Sequence, residues 1–287
     1  MSTPVRTVII PAAGKGTRLL PATRVTAKEL LPVYDRPVIA FAIDEALEAG
    51  AERIIVVISP GKTAIADFLG RDEVQDDMGR QAEVVYVVQD KPLGLGHAVL
   101  CCEGKTLPGR FGVILPDDII MGQACLPEMV AHLQVGQMVA AMKVAAAQTA
   151  QYGIFRLGGL PSGGCIPVAG MVEKPAPGTA PSSIAAVGRY ILDPMIFEVL
   201  AHTPVGAGGE LQLTDAIGIA INAMPLTAFQ FTGTRYDCGS HDGLLSASVA
   251  RQAMVKAGMV SGPQVATGPM AGGFIAHRMN GPAGSRP

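Results

Sequence analysis

The strongest constraint on the fold of this chain lies in its first half. There, short β-branched runs alternate with segments of helical period. Val5–Ile10, Arg53–Ile58, Glu83–Val88 and Phe111–Leu115 read as strands. Pro37–Ala49, Lys62–Leu69 and Gly96–Glu103 read as helices, the first two stopping at Gly50 and Gly70. Helices set between such strands imply βαβ units and a mainly parallel sheet, an α/β fold. Right-handed crossovers then put a ligand crevice at the carboxyl ends of the strands. The loop around Gly14, Gln89 and Asp117 all fall at such ends, so three separate segments are expected to meet in one crevice.

The second half is more mixed. Met138–Val144, Tyr152–Leu157, Val168–Glu173, Ala186–Leu192 and Leu226–Phe231 read as strands. Asp193–Ala201, Glu210–Ala223 and His241–Ala257 read as helices, the last capped by Ser240, with Thr214 and Asp215 inside the second. From about Gly258 onward Gly, Pro, Ala and Met dominate, and a loose tail over 258–287 is expected. The 287 residues suffice for a large buried core.

Composition narrows the functional classes. A net charge of −2 lacks the basic excess of a nucleic-acid-binding protein. No stretch offers about 18 uninterrupted apolar residues, so no membrane span is expected. The N-terminal apolar run is short, contains a proline and feeds a glycine loop, unlike a signal peptide. Cys101, Cys102, Cys125, Cys165 and Cys238 form no C-x-x-C pair and read as reduced thiols of a cytoplasmic protein.

The first strand runs into Pro11-Ala12-Ala13-Gly14-Lys15-Gly16-Thr17-Arg18, and Lys28 follows in Lys28-Glu29-Leu30-Leu31-Pro32. A glycine loop lets backbone N–H groups close on phosphate oxygens, and Arg18 and Lys28 supply the charge a polyphosphate needs. The dinucleotide fingerprint fails here, because Leu19 stands where G-x-G-x-x-G needs its third glycine. The Walker A pattern fails too: Gly61-Lys62-Thr63 and Gly104-Lys105-Thr106 end correctly, but Val56 and Val99 occupy the earlier glycine positions.

Four further segments carry chemistry. Gln89, before Pro92-Leu93-Gly94-Leu95-Gly96-His97-Ala98, can read both donor and acceptor on a nucleobase edge, and the glycines would admit a ring close to the backbone. Asp117, in Leu115-Pro116-Asp117-Asp118, sits at a strand end where a carboxylate can hold Mg²⁺ together with phosphate oxygens and water. Asp237, in Tyr236-Asp237-Cys238-Gly239, follows a strand and precedes a capped helix. Glu173 and Lys174, in Val172-Glu173-Lys174-Pro175, point to opposite faces of a regular strand, but a bend at its end would bring both to one ligand. Taken singly, each of these segments also reads as an ordinary turn, cap or strand end.

Together and in order, these segments resemble the sugar-phosphate nucleotidylyltransferases. Leu20-Pro21-Ala22-Thr23, Asp35-Arg36-Pro37, Tyr152-Gly153, Gly188-Arg189-Tyr190 and Gly209-Glu210-Leu211-Gln212-Leu213-Thr214-Asp215-Ala216 extend the match over roughly residues 5 to 255. The Pro92–Ala98 and Tyr236–Gly239 versions are more similar to the uridylyltransferase branch than to the thymidylyltransferases. The resemblance implies a single α/β domain over 1–257 with a Rossmann-like mixed sheet flanked by helices. Its nucleotide-binding part would span about 1–135 and its sugar-phosphate part about 136–257. It implies joining of glucose 1-phosphate to UTP with release of pyrophosphate, Mg²⁺ as cofactor, and a homodimer or homotetramer.

Carried over by motif, Ala13, Gly14, Gly16, Gln89 and Gly94 would hold the nucleotide, and Arg18 and Lys28 its triphosphate. Gly153, Glu173, Lys174 and Gly188 would hold the sugar phosphate, and Asp117 and Asp237 the metal, with Asp118 left open. Two departures stand out. Ala27 replaces the family's proline before Lys28, and only Asp67–Ala82 fills a stretch that is usually longer in relatives and touches oligomer contacts or a lid. The rival readings keep the fold with dTTP, CTP or another sugar 1-phosphate, or make the chain a non-catalytic nucleotide-sugar-binding paralogue. The second would be expected to lose a metal carboxylate or a triphosphate cation, and none is lost here.

Overall fold

The computed structural model describes residues 5–71, 74, 82–133 and 135–260. In chain order its strands and α-helices are β1 (Thr7–Pro11), β2 (Pro32–Val33), β3 (Arg36–Pro37), α1 (Val38–Glu48), β4 (Arg53–Ile58), α2 (Ala64–Leu69), β5 (Glu83–Val88), α3 (Leu95–Leu100), β6 (Phe111–Ile114), β7 (Asp118–Met121), α4 (Cys125–His132) and β8 (Gln137–Lys143), then β9 (Gly153–Leu157), β10 (Cys165–Glu173), β11 (Ile184–Leu192), α5 (Ile196–His202), α6 (Leu213–Ala220), β12 (Leu226–Gln230), β13 (Thr234–Asp237) and α7 (His241–Lys256). All but residues 258–260 of the expected loose tail, and most of the short Asp67–Ala82 stretch, lie outside the described residues.

A nine-stranded sheet in the order β5-β4-β1-β6-β11-β8-β12-β10-β9 forms the centre. The β5-β4-β1-β6 block is parallel throughout, as the alternation predicts. β11 runs antiparallel to both β6 and β8, and β10 to both β12 and β9, while β12 is parallel to β8. Only β11 and β10 therefore oppose the common direction. A bridge from Ala185 to Ile154 also joins β11 to β9, so the far edge folds back on the sheet.

In the parallel block β1, β4 and β6 are buried on both faces, the edge strand β5 is partly exposed, and the side chains sort by parity. Ile9, Ile55 and Val57 enter one core with α3, α5 and α6, built on residues such as Val99, Phe197, Leu200 and Ile217. Val8, Ile10, Ile54, Val56 and Ile58 enter the other with α1, α2 and α4 through Ile39, Ile43, Ile65 and Met129. A smaller third core of Val33, Val38, Ile119, Met121, Cys238 and Ala247 seats α7 over the β7–β13 pair. The Ser240 hydroxyl caps α7 by accepting from the Gly243 N–H, as expected.

Several boundaries differ from those the sequence suggests. α6 begins at Leu213 behind a Gln212 cap, so Thr214 and Asp215 lie in its first turn and not deep inside a longer helix. Leu95 already belongs to α3, one residue before the expected start, and α3 ends at Leu100. β7, β13 and α4 have no counterpart in the sequence reading. Asp237 does not follow a strand: it is the last residue of β13 and pairs with Asp118. Among the described residues no helix is long and apolar enough to cross a membrane.

Candidate active site

The carboxyl ends of β1, β4, β5 and β6 open on the same side of the sheet, which brings four loops to one rim. The loop after β1 carries Gly14, Gly16 and Arg18, while Ala13 stays buried in the core. Gly16 adopts φ 64°, and a Cβ there would stand 2.9 Å from the Thr23 methyl, so the position demands glycine. Gly14 lies over the end of the Lys28 side chain, with 3.7 Å from a Cβ position to Nζ. The first glycine loop and the second cation are thus direct neighbours.

Lys28 Nζ donates to Asp117 Oδ2 at 2.6 Å. Burial works against the ammonium, but Asp117 and Glu29 outweigh it and hold the Lys28 pKa above the ordinary lysine value. Burial likewise works against the Asp117 carboxylate, yet Lys28 holds its pKa below the usual range. Both groups are therefore charged at neutral pH. Opposite them, Arg18 Nη1 lies 3.8 Å from Asp237 Oδ2, and its guanidinium packs on Gly239.

The segments of Asp117 and Asp237 lie side by side because β13 pairs with β7 in a register that sets Asp237 opposite Asp118, and Cys238 N–H donates to the Asp117 carbonyl at 2.7 Å. Burial, with Asp117 and Asp237 close by, pushes the Cys238 thiol up to about 12, so it adds no charge here. Asp117 and Asp237 fit a hard divalent cation that takes one or two carboxylates and leaves its remaining positions to phosphate oxygens and water. No cluster of three or more His, Cys, Asp or Glu suited to a metal occurs among the described residues. Asp118 is committed elsewhere. It pairs with Arg235, and its Oδ2 accepts from the Gly188 N–H at 3.0 Å.

Lys62, on the loop after β4, was visible in the sequence as the end of a failed Walker pattern and the start of an expected helix, which begins at Ala64 instead. Its Nζ donates to the carbonyls of Ala12 at 2.7 Å and Gly14 at 3.0 Å, and pairs with Glu29 at 2.7 Å. Glu29 is fully buried, and burial raises its pKa against the pull of Lys62 and Lys28. One ammonium therefore ties the glycine loop to the segment that carries Lys28. Lys62→Met is expected to raise the KM for the nucleotide about tenfold, because the loop loses two anchoring hydrogen bonds to a charged donor. Steady-state titration of the nucleotide checks this, and an unchanged KM would remove the anchoring role.

Gln89 is 5 % exposed, and its amide nitrogen donates to the Gly94 carbonyl at 3.1 Å and contacts His97 Nδ1 at 3.0 Å. Gly94 adopts φ 99°, and a Cβ there would stand 2.8 Å from both Glu210 Cβ and the Leu211 carbonyl oxygen. This glycine permits a close approach to the chain's own 210–211 segment. Backbone bonds from Gly96 N–H to Leu211 O and from Leu211 N–H to Leu93 O complete that junction.

On the other half of the sheet, β10 ends at Glu173 and the chain turns at Lys174, a non-glycine residue with φ 41°. The turn brings Lys174 Nζ to 3.3 Å from Glu173 Oε1, so the pair faces one region, as the expected bend requires. Gly153 lies against the Glu173 carboxylate and Thr214. Gly188 has a task of its own: its N–H donates to Asp118 and its carbonyl accepts from Leu115 N–H at 2.8 Å. A ligand would find only the second lone pair of that carbonyl.

The model of the nucleotidyl transferase family matches residues 7–253. A UTP–glucose-1-phosphate uridylyltransferase of Bacillus subtilis (strain 168) is 38% identical over 265 residues, covering 85% of this chain and 90% of that one. The Escherichia coli (strain K12) enzyme of the same name is 35% identical over 274 residues, with coverages of 87% and 91%. A crystal structure of UDP-glucose pyrophosphorylase complexed with UDP-glucose superposes with a TM-score of 0.81 at 36% identity, over 87% of this chain and 99% of that one. The UTP-bound enzyme from Acinetobacter baumannii gives 0.76 at 34% identity, with coverages of 86% and 93%. The mixed α/β sheet with its glycine loop is the fold of a nucleotidyltransferase, and this chain belongs to the nucleotidyl transferase family. The relatives it matches over most of their length are UTP–glucose-1-phosphate uridylyltransferases.

Proposed function

We propose that the protein transfers the uridylyl group of UTP to α-D-glucose 1-phosphate, giving UDP-glucose and pyrophosphate. The observation that carries this reading is the meeting of Lys28, Arg18, Asp117 and Asp237 beside the Gly14 loop, in a chain whose relatives bear that activity in their names. Glucose 1-phosphate is already ionised at neutral pH, so its oxygen needs no general base. It attacks the α-phosphorus in line while pyrophosphate leaves on the opposite side. The protein's work is to bring two anions together and to absorb charge in the transition state.

In this reading the Gly14 loop and Gln89 hold the nucleotide, while Lys28 and Arg18 neutralise the triphosphate. Glu173 takes sugar hydroxyls and Lys174 the sugar's phosphate, next to Gly153. The divalent metal is Mg²⁺ on Asp117 and Asp237, where it would neutralise phosphate charge during transfer. The two parts, about 1–135 and 136–257, work as one domain across the β6–β11 junction. A homodimer or homotetramer in the cytoplasm is consistent with family membership and with five cysteines free of disulfides.

Two measurements test the assignment. Product formation with UTP, dTTP and CTP against glucose 1-phosphate should favour UTP, and a stronger dTTP or CTP activity would move the chain to another branch of the family. Lys174→Ala should lower kcat/KM for glucose 1-phosphate about a hundredfold, roughly 3 kcal/mol, as expected for one lost transition-state cation. Wild-type kinetics in that variant would show that Lys174 does not contact the sugar phosphate.

A further inference from the structure

Arg235 on β13 belongs to no motif that the proposed function uses, yet its side chain is 14% exposed and touches both halves of the site. Its Nε and Nη2 both donate to Asp118 Oδ1, the first at 2.8 Å. Nη2 also lies 3.8 Å from Asp237 Oδ2, one of the two carboxylates assigned to the metal. On the other side, Nη1 donates to the Tyr152 hydroxyl at 3.3 Å, and the guanidinium lies over the Tyr152 ring at 5.5 Å from its centroid. The Tyr152 carbonyl in turn accepts the Lys174 N–H at 3.0 Å, at the residue whose left-handed turn aims the sugar-phosphate lysine. Asp118 closes the frame by accepting from Gly188 N–H.

A cation beside Asp118 would be needed simply to offset the burial of that carboxylate. Any well-placed ammonium could do that. The planar fork does more, because Nε and Nη2 serve Asp118 while Nη1 and the guanidinium face serve Tyr152. An L-residue at positive φ is held there only when its surroundings over-determine it, at a cost of about 1–2 kcal/mol. The Tyr152 carbonyl accepts the Lys174 N–H, and Arg235 holds the Tyr152 side chain from one side, while the Tyr152 N–H donates to the Thr149 carbonyl at 3.3 Å and the Tyr152 ring packs beside Val144, Ile154 and Ala185.

We infer that Arg235 is a positioning residue that sets Tyr152, and through it the Lys174 turn, relative to the Asp237 carboxylate. It thereby fixes the distance between the sugar-phosphate lysine and the metal end of the site. This rests on the roles given above to Lys174 and Asp237. Misplacing a reacting group by about 1 Å costs on the order of a hundredfold, so a partial loss of this strut is expected to cost about tenfold.

The test varies glucose 1-phosphate at saturating UTP in Arg235→Gln, Arg235→Lys and Tyr152→Phe, with UTP affinity measured separately by calorimetry. Arg235→Gln is expected to raise the KM for glucose 1-phosphate about tenfold while UTP affinity stays within about twofold of wild type. Arg235→Lys keeps a charge for Asp118 and should recover melting temperature without recovering that KM. Tyr152→Phe leaves the Asp118 ion pair intact and should raise the same KM about threefold at unchanged melting temperature, so the inference stays testable if Arg235→Gln does not fold. A wild-type KM for glucose 1-phosphate in folded Tyr152→Phe, or equal losses toward both substrates in Arg235→Gln, would overturn the positioning role. If Lys174→Ala also leaves that KM unchanged, the fault lies instead with the placement of the sugar phosphate.

Discussion

Lys28→Met is expected to reduce kcat/KM about a thousandfold while the chain still folds. The side chain is 17% exposed, under Gly14 and 2.6 Å from Asp117. Methionine keeps much of its length and apolar packing but removes the charge. Two losses then coincide. On the proposed assignment the triphosphate would lose a cation that lies in a largely water-excluded place, where charge is worth more than at a surface. Asp117 loses the partner that keeps its pKa low, which on the proposed assignment would leave a metal ligand poorly held. A single preorganised donor is worth a hundredfold to a thousandfold in rate, and the buried charged case belongs at the upper end, about 4 kcal/mol. Steady-state kinetics at saturating metal, with melting temperature as the folding control, measures it. A loss below about tenfold would show that Lys28 serves Asp117 alone and not the nucleotide.

The largest effect on stability is expected at Glu45. Arg189 on β11 is 1% exposed and Glu45 on α1 is 5% exposed. Arg189 Nε and Nη2 donate to both Glu45 oxygens, at 3.0, 3.1 and 2.7 Å. Arg189 Nη1 reaches the carbonyls of Asp118 and Leu115, and Glu45 also accepts from Leu126 N–H at 2.9 Å. Burial opposes the guanidinium charge, but Glu45 outweighs it and keeps Arg189 firmly protonated. Glu45→Ala therefore leaves a full positive charge buried without its counter-ion. Breaking such a pair from one side costs about 3–5 kcal/mol, and in a domain of this size that lowers the melting temperature by about 10 °C. Thermal unfolding followed by circular dichroism reads the shift. A drop of under about 3 °C would mean that the pair is replaceable by water.

The pair also explains why the catalytic rim depends on the core beneath it. Arg189 holds the Asp118 carbonyl, Asp118 holds Gly188 and Arg235, and Arg235 reaches Tyr152. The nucleotide half and the sugar half are thus joined by a line of ionic and hydrogen-bonded groups as well as by the β6–β11 pairing.

The parallel half of the fold was legible because its strands read as unbroken β-branched runs, the inner ones because they are buried on both faces. Arg53–Ile58 and Glu83–Val88 have the boundaries that their composition suggests. Ser240 announced the start of α7 through its capping chemistry. β7 and β13 were hidden because each spans four residues and is defined by pairing with a partner more than a hundred positions away. Asp237 consequently looked like a turn residue, although its type and motif still marked it as a carboxylate of the site. Lys62 was missed for a similar reason. Its contacts are to backbone carbonyls and a buried glutamate some 30 to 50 residues upstream, and no local spacing encodes that. Gly94 was recognised as special, and its close approach to the chain's own backbone at Leu211 is a packing fact that only tertiary structure supplies.

The central claim is most directly tested by pyrophosphate release from UTP with the purified wild-type protein. Release should require both glucose 1-phosphate and Mg²⁺, stop on addition of EDTA, and match UDP-glucose formed mole for mole. Failure to release pyrophosphate from any nucleoside triphosphate in the presence of glucose 1-phosphate and Mg²⁺ would contradict the account.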